Sequence, residues 1–200
     1  MEGAGNDYVY INLLEESVQD PGKLAVEISH RHFGVGSDGL VLIAPSVDAD
    51  IRMIMFNSDG SESEMCGNAI RCVGKYAFER ELVKKKQITV ETGAGIKELT
   101  LNTNKSNKVE TVVVQMGEPE LSAENIPSTL KGDSIVNQSF DFGDFQLNGT
   151  LVSMGNPHFI TYVRDVLSTP VEKWGPIVEN SQFFPNRINV EFVQIVSRNE

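Results

Sequence analysis

The chain has 200 residues and a mass of 22.0 kDa, which allows one domain or two small ones. Hydrophobic residues make up 40 %, enough for a core, and 28 acidic against 17 basic residues give a formal charge of −11, which excludes a typical nucleic-acid binder. No apolar run approaches the ~20 residues of a membrane helix, and Met1–Gly5 lacks the features of a signal peptide. These absences leave a soluble cytoplasmic protein, without membrane or nucleic-acid partners, as the default.

In chain order, Asp7–Asn12 alternates like a strand. Asp20-Pro21 opens a helix, with Asp as cap and Pro at the first helical position, and Leu24 and Ile28 share one face. Phe33–Gly39 is a glycine-rich turn. Leu40–Ile43 and Ile51–Phe56 read as buried strands, separated from the next element by the turn residues Asn57–Gly60. From Ala69 the pattern is helical and apolar on most sides, so this helix is expected to be enclosed by sheet. Strands follow at Gln87–Glu91, Ile96–Leu101 and Val109–Met116. Gly117–Asp133, rich in Pro, Ser and Glu, reads as a connection between domains. Beyond it come strands at Phe140–Leu147, Thr150–Met154, Phe159–Val163 and Asn189–Val196, with a short helix opening at Ser168-Thr169-Pro170.

The chain also repeats itself. Gly5-Asn6 and Gly155-Asn156 each begin an apolar strand, 150 residues apart. A Pro-started helix and a second apolar strand follow each. This order predicts two similar halves, 1–116 and 117–200. A faithful repeat puts a counterpart of Cys66 about 60 residues past Asn156, near position 216. The second half is therefore expected to be cut short, as is a strand leading into the first Gly-Asn pair.

Two cysteines and three histidines at 30, 32 and 158 offer neither a disulfide framework nor a four-ligand zinc site. Cys66 sits at the mouth of the predicted helix, where free N–H groups and the helix dipole favour an anion such as a thiolate. Gly67 lets a ligand approach the backbone, and the N–H groups of Gly67 and Asn68 suit a carboxylate. The competing reading is a small core residue at a loop-to-helix junction. Cys72 lies inside the helix and reads as core. Asn6, Asn57 and Asn156 fit either turn chemistry or the gripping of an amino-acid head group. His158 is either structural or a base partnering a cysteine.

Taken in order, Gly5-Asn6-Asp7-Tyr8, Phe33–Gly39, Phe56-Asn57-Ser58-Asp59-Gly60-Ser61, Met65-Cys66-Gly67-Asn68-Ala69-Ile70-Arg71-Cys72, Met116-Gly117-Glu118-Pro119, Ser153-Met154-Gly155-Asn156-Pro157-His158 and Arg187-Ile188-Asn189 resemble the diaminopimelate epimerase family over nearly the whole chain. The resemblance implies an α+β fold of two pseudo-symmetric domains. Each is a mixed, mostly antiparallel sheet curled around a central helix, and the second is incomplete here. It implies cofactor-independent and metal-free interconversion of LL- and meso-diaminopimelate, in lysine and peptidoglycan-precursor synthesis, by a cytoplasmic homodimer.

In that family two cysteines face opposite sides of the substrate α-carbon. Cys66 matches the first, and His158 matches a histidine that assists it. Gly67 and Asn68 match the backbone cradle, and Asn6, Asn57, Asn156 and Asn189 match substrate-binding asparagines. The second cysteine block, with its Glu and Arg, is missing, so this chain alone is expected to be inactive. Position 39 is Gly where some members carry a substrate-contacting Gln. Other readings are a proline-racemase-like or phenazine-synthesis-like isomerase, a cysteine hydrolase built on Cys66 and His158, and a non-catalytic amino-acid-binding fragment.

Overall fold

Strand β1 (Glu2–Gly3) turns through Ala4 and Gly5 into β2 (Asn6–Asn12), to which it pairs antiparallel. Both turn residues have positive φ, 51° and 92°. Helix α1 (Pro21–Ser29) starts where Asp20 accepts a hydrogen bond from the Lys23 N–H at 3.0 Å, with Pro at its first position. The chain then returns as β3 (Gly39–Ala44), parallel to β2, completing a crossover unit. β4 (Ile51–Asn57) pairs antiparallel to β3 and carries the two-residue β5 (Glu62–Ser63). After helix α2 (Gly67–Glu79) come β6 (Gln87–Thr92), β7 (Gly95–Thr103) and β8 (Val109–Val114). The structure, a computed structural model, describes residues 1–198.

These elements form the unit Met1–Met116, whose strand order is β1-β2-β3-β4-β6-β7-β8. The strands at both ends of that order, β1 and β8, pack against α2. The sheet therefore curls around the helix. Ala69, Ile70, Val73 and Ala77 of α2 are buried against Val41, Ile43, Met53, Met55, Leu99 and Leu101. Leu40 and Leu42, on the opposite face of β3, meet Ala25 of α1. Covered on both faces, β3 is buried at every position, which is why it reads as an unbroken apolar run.

The second unit begins at Gly117. It holds a sheet of order β12-β11-β10-β9, made of β9 (Gln138–Asp141), β10 (Gln146–Ser153), β11 (Pro157–Tyr162) and β12 (Asn189–Val193). Helix α3 (Val171–Glu179) connects β11 to β12, and these strands are parallel. This repeats the β2–α1–β3 crossover. Even the register recurs: Tyr8 opposes Gly39, and His158 opposes Asn189, 150 residues on at both positions. Gly155, the counterpart of Gly5, also has positive φ, 107°. A counterpart of α2 is not among the described residues of this unit. The core is aromatic, with Phe140, Phe159 and Phe184 buried and Phe140 edge-on to Phe159 at 5.1 Å.

Three expectations change. The strands foreseen at Phe140–Leu147 and Thr150–Met154 are a hairpin broken earlier and continuous later. Asp141 accepts from the Gly143 N–H at 2.8 Å and Phe142 N–H bonds to the Phe145 carbonyl at 3.0 Å, which makes a turn inside an apolar stretch. The last strand ends at Val193 rather than Val196. Gly117–Asp133 is no free connection: Glu120 exchanges two backbone hydrogen bonds with Ser153, both 2.9 Å, and Ala123 and Ile126 are buried in the second core. Among the described residues no helix is long and apolar enough to cross a membrane.

Candidate functional site

Cys66 is the N-cap of α2, in extended conformation at φ −141° and ψ 118°, and its side chain makes no capping hydrogen bond. Its carbonyl accepts the first helical bond, from Ile70 N–H at 3.0 Å. The sulfur is half-buried and packs at the margin of the first core. The amides of Gly67, Asn68 and Ala69 belong to the first turn, so they have no acceptor within the helix. No acidic side chain lies in that turn to neutralise the positive end of the dipole. A pocket of about 290 Å³ opens beside it, lined by Gly67, Asn68, Arg71, Val112, Val114 and Met116. Cys72 differs in kind: it is buried, and its sulfur meets the Glu2 carbonyl at 3.4 Å.

A chain of side-chain amides anchors this helix end to β2. Arg71 donates to Asn68 Oδ1. Asn68 Nδ2 donates to Asn6 Oδ1 at 2.6 Å, and Asn6 Nδ2 approaches Asp38 Oδ2 at 3.5 Å. A guanidinium can only donate and a carboxylate can only accept, so the two ends fix the orientation of both amides between them. Asp38 is held in turn by Asp7 N–H at 3.1 Å and by Arg31 at 2.9 Å. Arg31 also forks onto both oxygens of Asp7, at 2.9 and 3.1 Å. That hydrogen-bonded guanidinium holds the Asp7 carboxyl below the usual carboxylate range.

Tyr8, one residue further along β2, has its phenol pushed up to about 12, first by burial and then by the neighbouring Cys66 and Asp38. A phenol that stays neutral beside a sulfur remains able to donate a hydrogen bond across the range in which thiols ionise, around 8.5. Asn57 lies at the same end of the sheet, in register with Gly39. Its Nδ2 is committed to Ser61 Oγ at 3.0 Å, so turn-building accounts for its present contact. Gly39 has no room for a side chain. A Cβ there would fall 2.1 Å from the Phe56 carbonyl oxygen and 3.0 Å from the Tyr8 ring.

In the second unit, Asn156 ends the turn into β11 and His158 is the second residue of that strand. His158 Nε2 lies 3.0 Å from Asn156 Oδ1, and Nδ1 lies 2.6 Å from Glu191 Oε1. Asn189 opposes His158 in register and donates from Nδ2 to the Pro157 carbonyl at 3.0 Å. The structure thus brings Asn6, Cys66, Gly67 and Asn68 together in one unit, with Asn57 on the same sheet end. It brings Asn156, His158 and Asn189 together in the other.

Tyr8, Arg31, Asp38 and Glu191 were not foreseen as site residues. For Glu191 a signal existed: two residues after Asn189 on a strand, it must share that residue's face. Among the described residues no group of three or more His, Cys, Asp or Glu side chains is placed to hold a metal.

The family model described as diaminopimelate epimerase matches residues 1–122 and 150–200. The diaminopimelate epimerase of Agathobacter rectalis is 50 % identical over 208 residues, covering 100 % of this chain and 72 % of that protein. That of Acetivibrio thermocellus is 52 % identical over 198 residues, covering 99 % and 70 %. Among solved structures, a phenazine biosynthesis protein of the PhzF family from Bacillus anthracis superposes with a TM-score of 0.61 at 20 % identity, covering 99 % of this chain and 64 % of that one. A probable proline racemase from Agrobacterium radiobacter gives 0.56 at 19 %, covering 71 % and 40 %. At such identities these two speak for the fold.

Proposed function

Because the chain belongs to the diaminopimelate epimerase family of amino-acid isomerases, we propose that it serves the cofactor-independent interconversion of LL- and meso-diaminopimelate, with Cys66 as one of two acid–base thiols. The observation that carries this reading is the uncapped first turn of α2 with Cys66 at its mouth. The α-carboxylate of the substrate docks on the N–H groups of Gly67 and Asn68. As the α-proton leaves, negative charge spreads onto that carboxylate, where the helix end and its fixed amides stabilise it. The Cys66 thiolate takes the proton: the Cα–H bond breaks, its electron pair stays with the substrate, and an S–H bond forms.

A second thiol then delivers a proton to the opposite face. Epimerisation needs this partner, since one base returns the proton to the face it left. Cys72 is unsuited to that role, being buried in α2 against the Glu2 carbonyl. These 200 residues supply one working thiol. Asn6, Asn57, Asn156 and Asn189 are assigned to the amino-acid and carboxylate groups of the substrate, and His158 to assisting proton transfer. A homodimeric cytoplasmic enzyme of lysine and peptidoglycan-precursor synthesis is the setting this reading carries.

Alkylation tests it. Iodoacetamide followed by peptide mass spectrometry is expected to modify Cys66 well before Cys72, with LL-diaminopimelate slowing the reaction at Cys66 severalfold and lysine failing to. Equal labelling of both thiols, or no protection, would remove the basis for placing substrate at this helix end.

A further inference from the structure

Resting on the reading above, in which His158 works in the epimerase site, we infer that Glu191 is its positioning residue: the carboxylate holds the proton on Nδ1 and leaves Nε2 as the working nitrogen beside Asn156. The parallel pairing of β11 with β12 sets His158 opposite Asn189, and Glu191 lies on the same face two residues on. That diagonal relation is within reach of long side chains across adjacent strands. Here it closes to 2.6 Å between Nδ1 and Oε1.

The arrangement is poorly explained as a stabilising ion pair. Pairs at this exposure (24 % for His158, 39 % for Glu191) contribute little to stability, because water screens them. Meanwhile Glu191 Oε2 is buried with no hydrogen-bond partner among the described residues, which costs free energy. What the geometry does accomplish is to settle the ring. A carboxylate can only accept, so Nδ1 must carry a proton. In the neutral ring Nε2 is then the acceptor, and the Asn156 amide must turn its Nδ2 toward it. In the charged ring Nε2 donates to Asn156 Oδ1. In both cases Nε2 faces Asn156, 3.0 Å away. A carboxylate orienting the far side of an imidazole is the device that fixes tautomer and ring plane in acid–base sites generally.

The test reads the ring itself, independently of substrate. With three histidines in the chain, His158 is assigned in ¹⁵N spectra by comparison with His158→Gln. In alkaline solution the native chain is expected to show a protonated Nδ1 and a pyridine-like Nε2. Glu191→Gln, whose Oε1 still accepts, keeps this signature. Glu191→Leu loses it and moves the ring to the Nε2–H form that free histidine side chains favour. A native neutral ring protonated on Nε2 would overturn the inference, as would a folded Glu191→Leu with unchanged spectra. Should Glu191→Leu fail to fold, the native and Glu191→Gln spectra decide alone. Loss of the Cys66 protection described above, with the ring signature intact, would instead count against the epimerase reading and leave the role of Glu191 standing.

Discussion

At the residue scale, the site depends on groups held in a single protonation state or orientation by their neighbours. Tyr8 is the clearest case. Its proton is retained up to about 12 in the fold, against an ordinary value of 10.0, first through burial. The folded state thus binds the phenol proton more tightly than the unfolded chain does. The resulting stability is present in full below 10.0 and is lost as the pH rises toward 12. Thermal melts of Tyr8→Phe are expected to fall less steeply over that window than those of the native chain, with Tyr10, also raised by burial and by Cys72, supplying the remainder. Equal slopes would deny Tyr8 this role. The residues legible in the sequence were those whose chemistry is local. Cys66, Gly67 and Asn68 sit together at a helix start, and the two Gly-Asn pairs mark themselves by repetition. Asp38, Arg31 and Glu191 act through partners 7 to 33 residues away. Such pairings exist only once strands have found their register.

At the scale of elements, β3 and α2 bear most of the construction. β3 separates the two cores of the first unit, and its first residue abuts the carbonyl of Phe56 on the paired strand. Gly39→Ala is therefore expected to lower the urea midpoint, destabilising the chain by at least the 1–3 kcal/mol typical of overpacking, because the obstacle is backbone and cannot swing aside. A change within about 0.5 kcal/mol would mean that the strands separate freely there. Buried strands, the capped start of α1 and the body of α2 could be read from the sequence, since apolar runs, Asp20-Pro21 and the helical period of α2 are local signals. The turn at 142–145 could not, because Phe142 and Phe145 carry the apolar character of a strand while Asp141 and Gly143 fold it back.

At the scale of the whole molecule, the two units share one plan: a crossover unit whose parallel strands pair at positions offset by 150. This was legible because a strand start, a Pro-led helix and a returning strand recur in the same order. The packing of 117–133 onto the second unit was not, since Pro and Ser disguise the buried Ala123 and Ile126. The chain spans about seven tenths of the curated relatives it matches, 72 % and 70 % for two of them. In the two-thiol reading proposed above, Cys66 is the thiol these 200 residues present. That claim meets its most direct test when LL-diaminopimelate is incubated with the 200-residue chain in deuterium oxide and followed by NMR and chiral chromatography. The account predicts deuterium at the α-carbon with LL configuration retained, abolished in Cys66→Ser and preserved in Cys72→Ser. Formation of meso-diaminopimelate by this chain, or exchange that survives Cys66→Ser, would contradict it.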